Sequence, residues 1–265
     1  MVSEQANNGC AAGFDVRLIG CVDDAVLPIG MHDYAEALGC CTLVDKTMFI
    51  ADALDCDASV VVCCRPEGFG KSMNLSMLRA FLERPAVGRA GRSSFADAQI
   101  WDADGGRYRD EYACYPVISL DFSGTARCGA NYAGVVHDAL SGECARLLPL
   151  LEAPDLARDK VRHIERVARG VASADEAASV LGVLIELMEM ACDEQVVLLV
   201  DGYDAAWLGR ASARGASGAD SADLFDRVLF EAIATAGDSL RLTCLMGECP
   251  GPAEAALSLH CCSYC

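Results

Sequence analysis

An α/β fold, with a mostly parallel sheet and helices on both faces, is the architecture this sequence predicts. Three observations carry that expectation. Short continuous apolar runs alternate along the chain with longer stretches of helical period. The runs show no strict polar–apolar alternation, so both faces of each strand are expected to be buried, as in parallel sheets covered by helices. One run leads through a glycine-bearing turn straight into an amphipathic helix.

Taken in order, residues 1–26 are mixed and weakly patterned and read as a leader of low order. Leu27-Pro-Ile-Gly30 marks a turn by its Pro and Gly. Short helices are expected over Asp33–Leu38 and Thr47–Leu54. Ala58–Cys64 is rich in β-branched residues and bounded by Asp57 and Arg65-Pro66, which predicts a buried strand. From Lys71, the residues Met73, Leu75, Met77, Leu78, Phe81 and Leu82 follow a helical period that ends near Pro85. Residues 86–114 are rich in Gly, Arg, Asp and Ser and read as loop. Tyr115–Phe122 is a second strand, followed by helices over Asn131–Leu151, Val161–Ala168 and Asp175–Cys192. Ser173-Ala-Asp-Glu176 has the S-x-x-E form of a capping box at the start of the last of these. Gln195–Val200 is a third strand and runs directly into Asp201. Gly209–Ser221 reads as loop, Ala222–Ala236 as helix and Leu240–Met246 as a fourth strand. The folded domain is thus expected over residues 27–247, with a Cys-rich tail over 248–265.

Composition narrows the function classes. Asp and Glu total 39 against 21 Lys and Arg, a formal net charge of −18. That balance opposes a main role in gripping nucleic-acid phosphates or anionic lipid. The longest apolar helical stretch, Ala177–Cys192, is interrupted by Glu186 and Glu189, so no membrane span is expected. Residues 1–26 lack a basic segment followed by an apolar one, which points to the cytoplasm. The 16 cysteines are therefore expected as reduced thiols, several acting as small apolar residues inside strands. His260, Cys261, Cys262 and Cys265 cluster near the end, but a single CxxC makes a weak metal motif. The four histidines are scattered without HExxH spacing, and no GxSxG occurs, which excludes those hydrolase motifs.

The segment that carries chemistry is Cys64-Arg-Pro-Glu-Gly-Phe-Gly-Lys-Ser72. A strand–turn–helix joint with glycines turns backbone N–H groups inward, where they hold phosphate oxygens. Gly68, Phe69, Gly70, Lys71 and Ser72 are the candidate phosphate-binding residues. Lys71 is suited to the β- and γ-phosphates and the Ser72 hydroxyl to Mg²⁺. The chain has only three lysines, and one stands at this position. The full GxxxxGK[ST] pattern is not met, because Arg65 occupies the first glycine position. A second element fits: Val196-Val-Leu-Leu-Val-Asp201 ends a buried strand on a carboxylate that can hold the metal's water shell. Ser72 and Asp201 are thus the candidate Mg²⁺ residues, and ATP with Mg²⁺ the expected ligand.

With these residues in place, the chain resembles the bacterial AAA-ATPase-like family of P-loop proteins. The likeness runs over about residues 27–247. It is carried by Leu27-Pro-Ile-Gly-Met-His-Asp-Tyr34, Val44-Asp-Lys-Thr47, the loop itself, Tyr115-Pro-Val-Ile-Ser-Leu-Asp-Phe-Ser123 and Val200-Asp-Gly-Tyr-Asp204. The family loop typically reads R-P-R-R-F-G-K-S, which accounts for Arg65. The resemblance implies a three-layer P-loop NTPase-type sheet, with Lys71, Ser72 and Asp201 as nucleotide and metal residues. It implies a strand order placing Leu240–Met246 between Ala58–Cys64 and Val196–Val200, with Tyr115–Asp121 beyond. A fifth strand usually lies beside the P-loop strand. No candidate follows Met246, so an incomplete sheet is expected, which points either to a shortened gene product or to an open edge covered by a partner chain or an oligomer.

Against the same family pattern, four positions depart. The Walker B motif normally reads D-E-Y-D, and Gly202 stands where the Glu would orient the attacking water. Met246 replaces a polar Thr at the end of its strand, Pro250 replaces an Arg, and Glu67 replaces a basic loop residue. Nucleotide binding with weak or absent hydrolysis is the expectation. Its rivals are a catalytically dead interaction or regulatory module, and a fragment without function. Asp204 and Asp121 are candidate substitute bases, and hydrogen bonding to loop N–H groups is the plainer use of both.

Overall fold

The computed structural model describes residues 17–21, 26–85, 94–124, 132–205, 208 and 217–249. Its centre is a four-stranded parallel sheet built from β3 (Val60–Cys64), β4 (Val117–Asp121), β5 (Val196–Asp201) and β6 (Leu240–Gly247). The strand order is β3-β6-β5-β4, which is the order expected from the resemblance. Among the described residues no strand pairs with β3 on the side away from β6.

Why both faces are apolar is now explicit. Val61, Cys63, Val197, Leu199, Leu242, Cys244 and Met246 face a core shared with α1 (Tyr34–Cys40), α2 (Met48–Leu54), α3 (Lys71–Leu82) and α4 (Gln99–Asp102). Val60, Val62, Ile118, Leu120, Val196, Leu198, Val200 and Leu245 face the other core. That second layer holds α5 (Tyr132–Leu147), α6 (Arg158–Ala168), α7 (Ala174–Cys192) and α8 (Ser217–Ala236). Alternate residues of every strand thus reach different cores, and apolar side chains are favoured at all of them. The result is a three-layer α/β fold of the P-loop NTPase type.

Local signals explain the helix boundaries. The capping box is formed: Ser173 Oγ accepts from the Glu176 amide and the Glu176 carboxylate accepts from the Ser173 amide. Arg166 also pairs with Glu176, and these contacts hold its carboxyl down at about 2. Asp33 caps α1 by accepting from the Glu36 amide at 2.8 Å.

Several elements differ from the sequence expectation. Leu18–Gly20, placed in the leader, forms β1 and pairs antiparallel with β2 (Thr42–Val44). Three-residue strands are too short for a period to register, and their pairing is non-local. The stretch 94–110 packs rather than looping free: Phe95, Ile100 and Tyr108 are buried. It is fastened by Asp45, which accepts from the Gln99 amide at 2.8 Å, and by Thr47 Oγ1, which accepts from the Ile100 amide at 3.2 Å. The Val44-Asp-Lys-Thr47 landmark is therefore a fastening for this segment. α8 begins at Ser217, inside the expected loop. The expected helix Asn131–Leu151 divides into α5 and a 3₁₀ turn at Leu148–Leu151, where Pro149 sits. The cluster of His260, Cys261, Cys262 and Cys265, together with Pro250, lies outside the described residues.

Candidate functional site

The four parallel strands end together. Cys64 is in register with Gly247, Asp121 with Asp201, and Asp201 with Met246. Ligands of open α/β sheets bind beyond such carboxyl ends. Here β3 leaves the sheet through residues 65–70 and re-enters order as α3.

Two glycines of the turn take left-handed backbone. Gly68 and Gly70 hold φ of 84° and 78°, a left-handed conformation in which a side chain is strained. Space above both is open, since a Cβ at either would meet nothing within 4 Å. Gly70 is the residue before α3, and no side chain caps the N–H groups of the first helical turn there. Phe69 is 62% exposed between the two glycines. The Lys71 ammonium folds back over the loop and donates to the Arg65 carbonyl at 2.8 Å and the Pro66 carbonyl at 3.0 Å.

Ser72 and Asp201, 129 positions apart in the chain, meet directly. The Ser72 hydroxyl donates to Asp201 Oδ2. Asp201 is buried, and burial raises its pKa, with the neighbouring Asp121 charge adding to the rise. The Ser72 hydroxyl, the Gly202 N–H and the Lys71 charge act in the opposite direction without cancelling it. This is a carboxylate whose negative charge is incompletely compensated by the protein, a condition that favours a cation beside it.

The two other acidic candidates have different settings. Asp121 is exposed at the end of β4, and its Oδ1 accepts from the Ser123 amide at 2.8 Å. Asp204 is 1% exposed and engaged in backbone contacts. Its Oδ2 accepts from the amides of Glu248 at 2.7 Å and Cys249 at 2.6 Å. The plainer use, bonding to loop N–H groups, is thus present for both residues.

The positions expected to depart from the family pattern also have a geometry. Gly202 holds φ of 65°, and a Cβ there would lie 2.6 Å from the Ser123 nitrogen and 2.9 Å from the Phe122 carbonyl carbon. The segment after β4 occupies the space of any side chain at 202. Met246 is buried in the core beneath α3. Gly247, which the sequence reading passed over, is equally tight: a Cβ there would lie 2.6 Å from Asp204 Oδ1. A glycine closing an apolar strand was the only sequence signal for it.

Two cavities, of about 210 and 400 Å³, lie among other elements, and neither is lined by a loop residue. Among the described residues no group of three His, Cys, Asp or Glu side chains is arranged to hold a metal by themselves. No described helix is long and apolar enough to cross a membrane.

A family model described as a predicted AAA-ATPase matches residues 28–250. The chain belongs to the AAA-ATPase-like family. The match covers every strand of the parallel sheet together with the loop, Ser72 and Asp201. No curated protein and no solved structure matches the chain. Family membership supports a nucleotide-binding, ATPase-like role.

Proposed function

We propose that this AAA-ATPase-like chain binds ATP with Mg²⁺ at the carboxyl ends of its strands and turns it over weakly or not at all. The observation that supports this reading best is the contact between Ser72 and Asp201, made beside the open glycine turn. It joins one hydroxyl and one under-compensated carboxylate, the hard oxygen donors that Mg²⁺ prefers. Ser72 and Asp201 would hold the ion, directly or through its waters, and the ion would neutralise charge on the phosphates. Gly68, Phe69 and Gly70 offer backbone N–H groups to phosphate oxygens, and Lys71 exchanges its two loop carbonyls for phosphate oxygens.

Weak turnover follows from the residues around the turn. Gly202 has no side chain to orient water, and the Phe122–Ser123 backbone leaves no room for one. Asp204 has its carboxylate engaged by two amides. Asp121, whose charge acts on Asp201 from the end of the neighbouring strand, is the base of any residual hydrolysis. A positioned base is worth about 10²–10⁴ in rate. Asp121→Asn is expected to lower the single-turnover rate within that range and leave ATP affinity unchanged. An unaltered rate would remove Asp121 from the chemistry.

Calorimetric titration with Mg-ATP tests the binding itself. Lys71→Ala is expected to weaken affinity about 30-fold, which corresponds to about 2 kcal/mol for a hydrogen bond to a charged group. Equal and negligible binding by both proteins would sink the proposal.

A further inference from the structure

Asp204 sits in a tight junction between the turn after β5 and the segment that ends β6. Beyond its two bonds to the Glu248 and Cys249 amides, Tyr203 binds the same segment twice. The Tyr203 amide donates to the Met246 carbonyl at 3.3 Å, and its hydroxyl donates to the Cys249 carbonyl at 2.5 Å. Gly247 admits this approach only because it lacks a Cβ. The junction continues into the phosphate loop. The Gly247 carbonyl accepts from the Arg65 amide at 3.0 Å, and the Arg65 carbonyl is the acceptor of Lys71 Nζ. Arg65, the first residue of the loop, is therefore held at its N–H by Gly247 and at its C=O by Lys71.

We infer that Asp204 is a positioning residue that latches the 247–249 segment and, through the Gly247 carbonyl, sets where the phosphate loop starts. This rests on the proposed nucleotide reading for its consequence, but the latch itself is a property of the free protein. When Lys71 turns to phosphate it releases the Arg65 carbonyl, and the Gly247 contact then holds the loop entry alone. Without Asp204 the 248–249 amides lose their acceptor, the segment loosens, and the loop must be ordered by the ligand, which lowers affinity.

Two measurements on the full chain test this. Amide hydrogen exchange without nucleotide is expected to quicken at residues 248–249 and at Arg65 in Asp204→Ala. In Asp204→Asn, whose side-chain oxygen still accepts, exchange stays at the wild-type rate. Mg-ATP affinity is expected to fall about tenfold in Asp204→Ala, the worth of one charge-assisted hydrogen bond, and to recover in Asp204→Asn. A catalytic base gives a different pattern: Asp204→Asn then lowers single-turnover hydrolysis as far as Asp204→Ala does, exchange at Arg65 is unaltered in both, and the inference fails. It fails equally if exchange at Arg65 does not respond to Asp204→Ala. Should Asp204→Ala not fold, Gly247→Ala strains the same junction from the other side and is expected to reproduce the faster exchange at Arg65. Wild-type protein that binds no nucleotide, yet shows the exchange response, overturns the nucleotide reading and leaves the latch standing.

Discussion

The two ends of the parallel sheet treat charge in opposite ways. Toward the amino ends of the strands, charged groups satisfy one another. Arg146 pairs with Glu83 and Glu143 and donates to the Val117 carbonyl at 2.7 Å, while the buried Glu143 accepts from the Ser119 amide at 2.6 Å. These two side chains close the outer edge of β4, which would otherwise present unpaired peptide groups. Arg241 pairs with Glu111, and Arg84 donates to the Cys114 and Cys192 carbonyls. At the carboxyl ends, Asp201 is buried beside a second carboxylate with one hydroxyl as its side-chain partner. The first end contains networks that stabilise the fold. The second holds a buried carboxylate whose pKa is raised, the group that the proposed function assigns to a metal ion.

Removing one member from each end should break that comparison if it is wrong. Glu143→Leu leaves Arg146 with Glu83 and the Val117 carbonyl, takes the acceptor from the Ser119 amide, and is expected to cost about 1–3 kcal/mol in chemical denaturation. A loss under about 1 kcal/mol would mean that the network does not close the edge. Asp201→Asn is the counterpart, with a smaller and opposite effect on stability. It removes a charge disfavoured by burial and keeps an acceptor for Ser72, so stability is expected to stay level or rise. Mg²⁺-dependent nucleotide affinity is expected to fall by about tenfold or more.

The pH dependence sharpens the same contrast. Because the folded-state pKa of Asp201 is raised, the folded protein keeps its proton at pH values where the unfolded chain has lost it. Stability from this group therefore falls as pH rises from the ordinary aspartate range through the raised value, and is level above it. Denaturation curves of wild type and Asp201→Asn across that interval should converge at its acidic end. Added Mg²⁺ should narrow their difference at its upper end. Parallel curves would show that Asp201 carries no such shift.

Much of this was legible from residues alone. The runs at Ala58–Cys64, Tyr115–Phe122, Gln195–Val200 and Leu240–Met246 mark all four strands of the parallel sheet, because buried strands need apolar side chains on both faces. Gly68 and Gly70 were legible as turn residues because a strand that leads directly into a helix needs glycine in the joint. The β1–β2 pair and the packed stretch 94–110 were not, since each owes its form to partners distant in sequence. Asp45, for instance, reads as a turn residue until the Gln99 amide is seen against it.

The sequence by itself determined the α/β class, the loop, and which strand ends in a carboxylate, for these follow from periodicity and from local backbone needs. Only the tertiary structure decided what the acidic residues face. Asp201 and Asp204 are three positions apart with similar neighbours. One meets a hydroxyl beside an open turn and the other meets two amides in a closed junction. A carboxylate's role depends on which donors surround it, and here those donors arrive from β6 and α3, far along the chain.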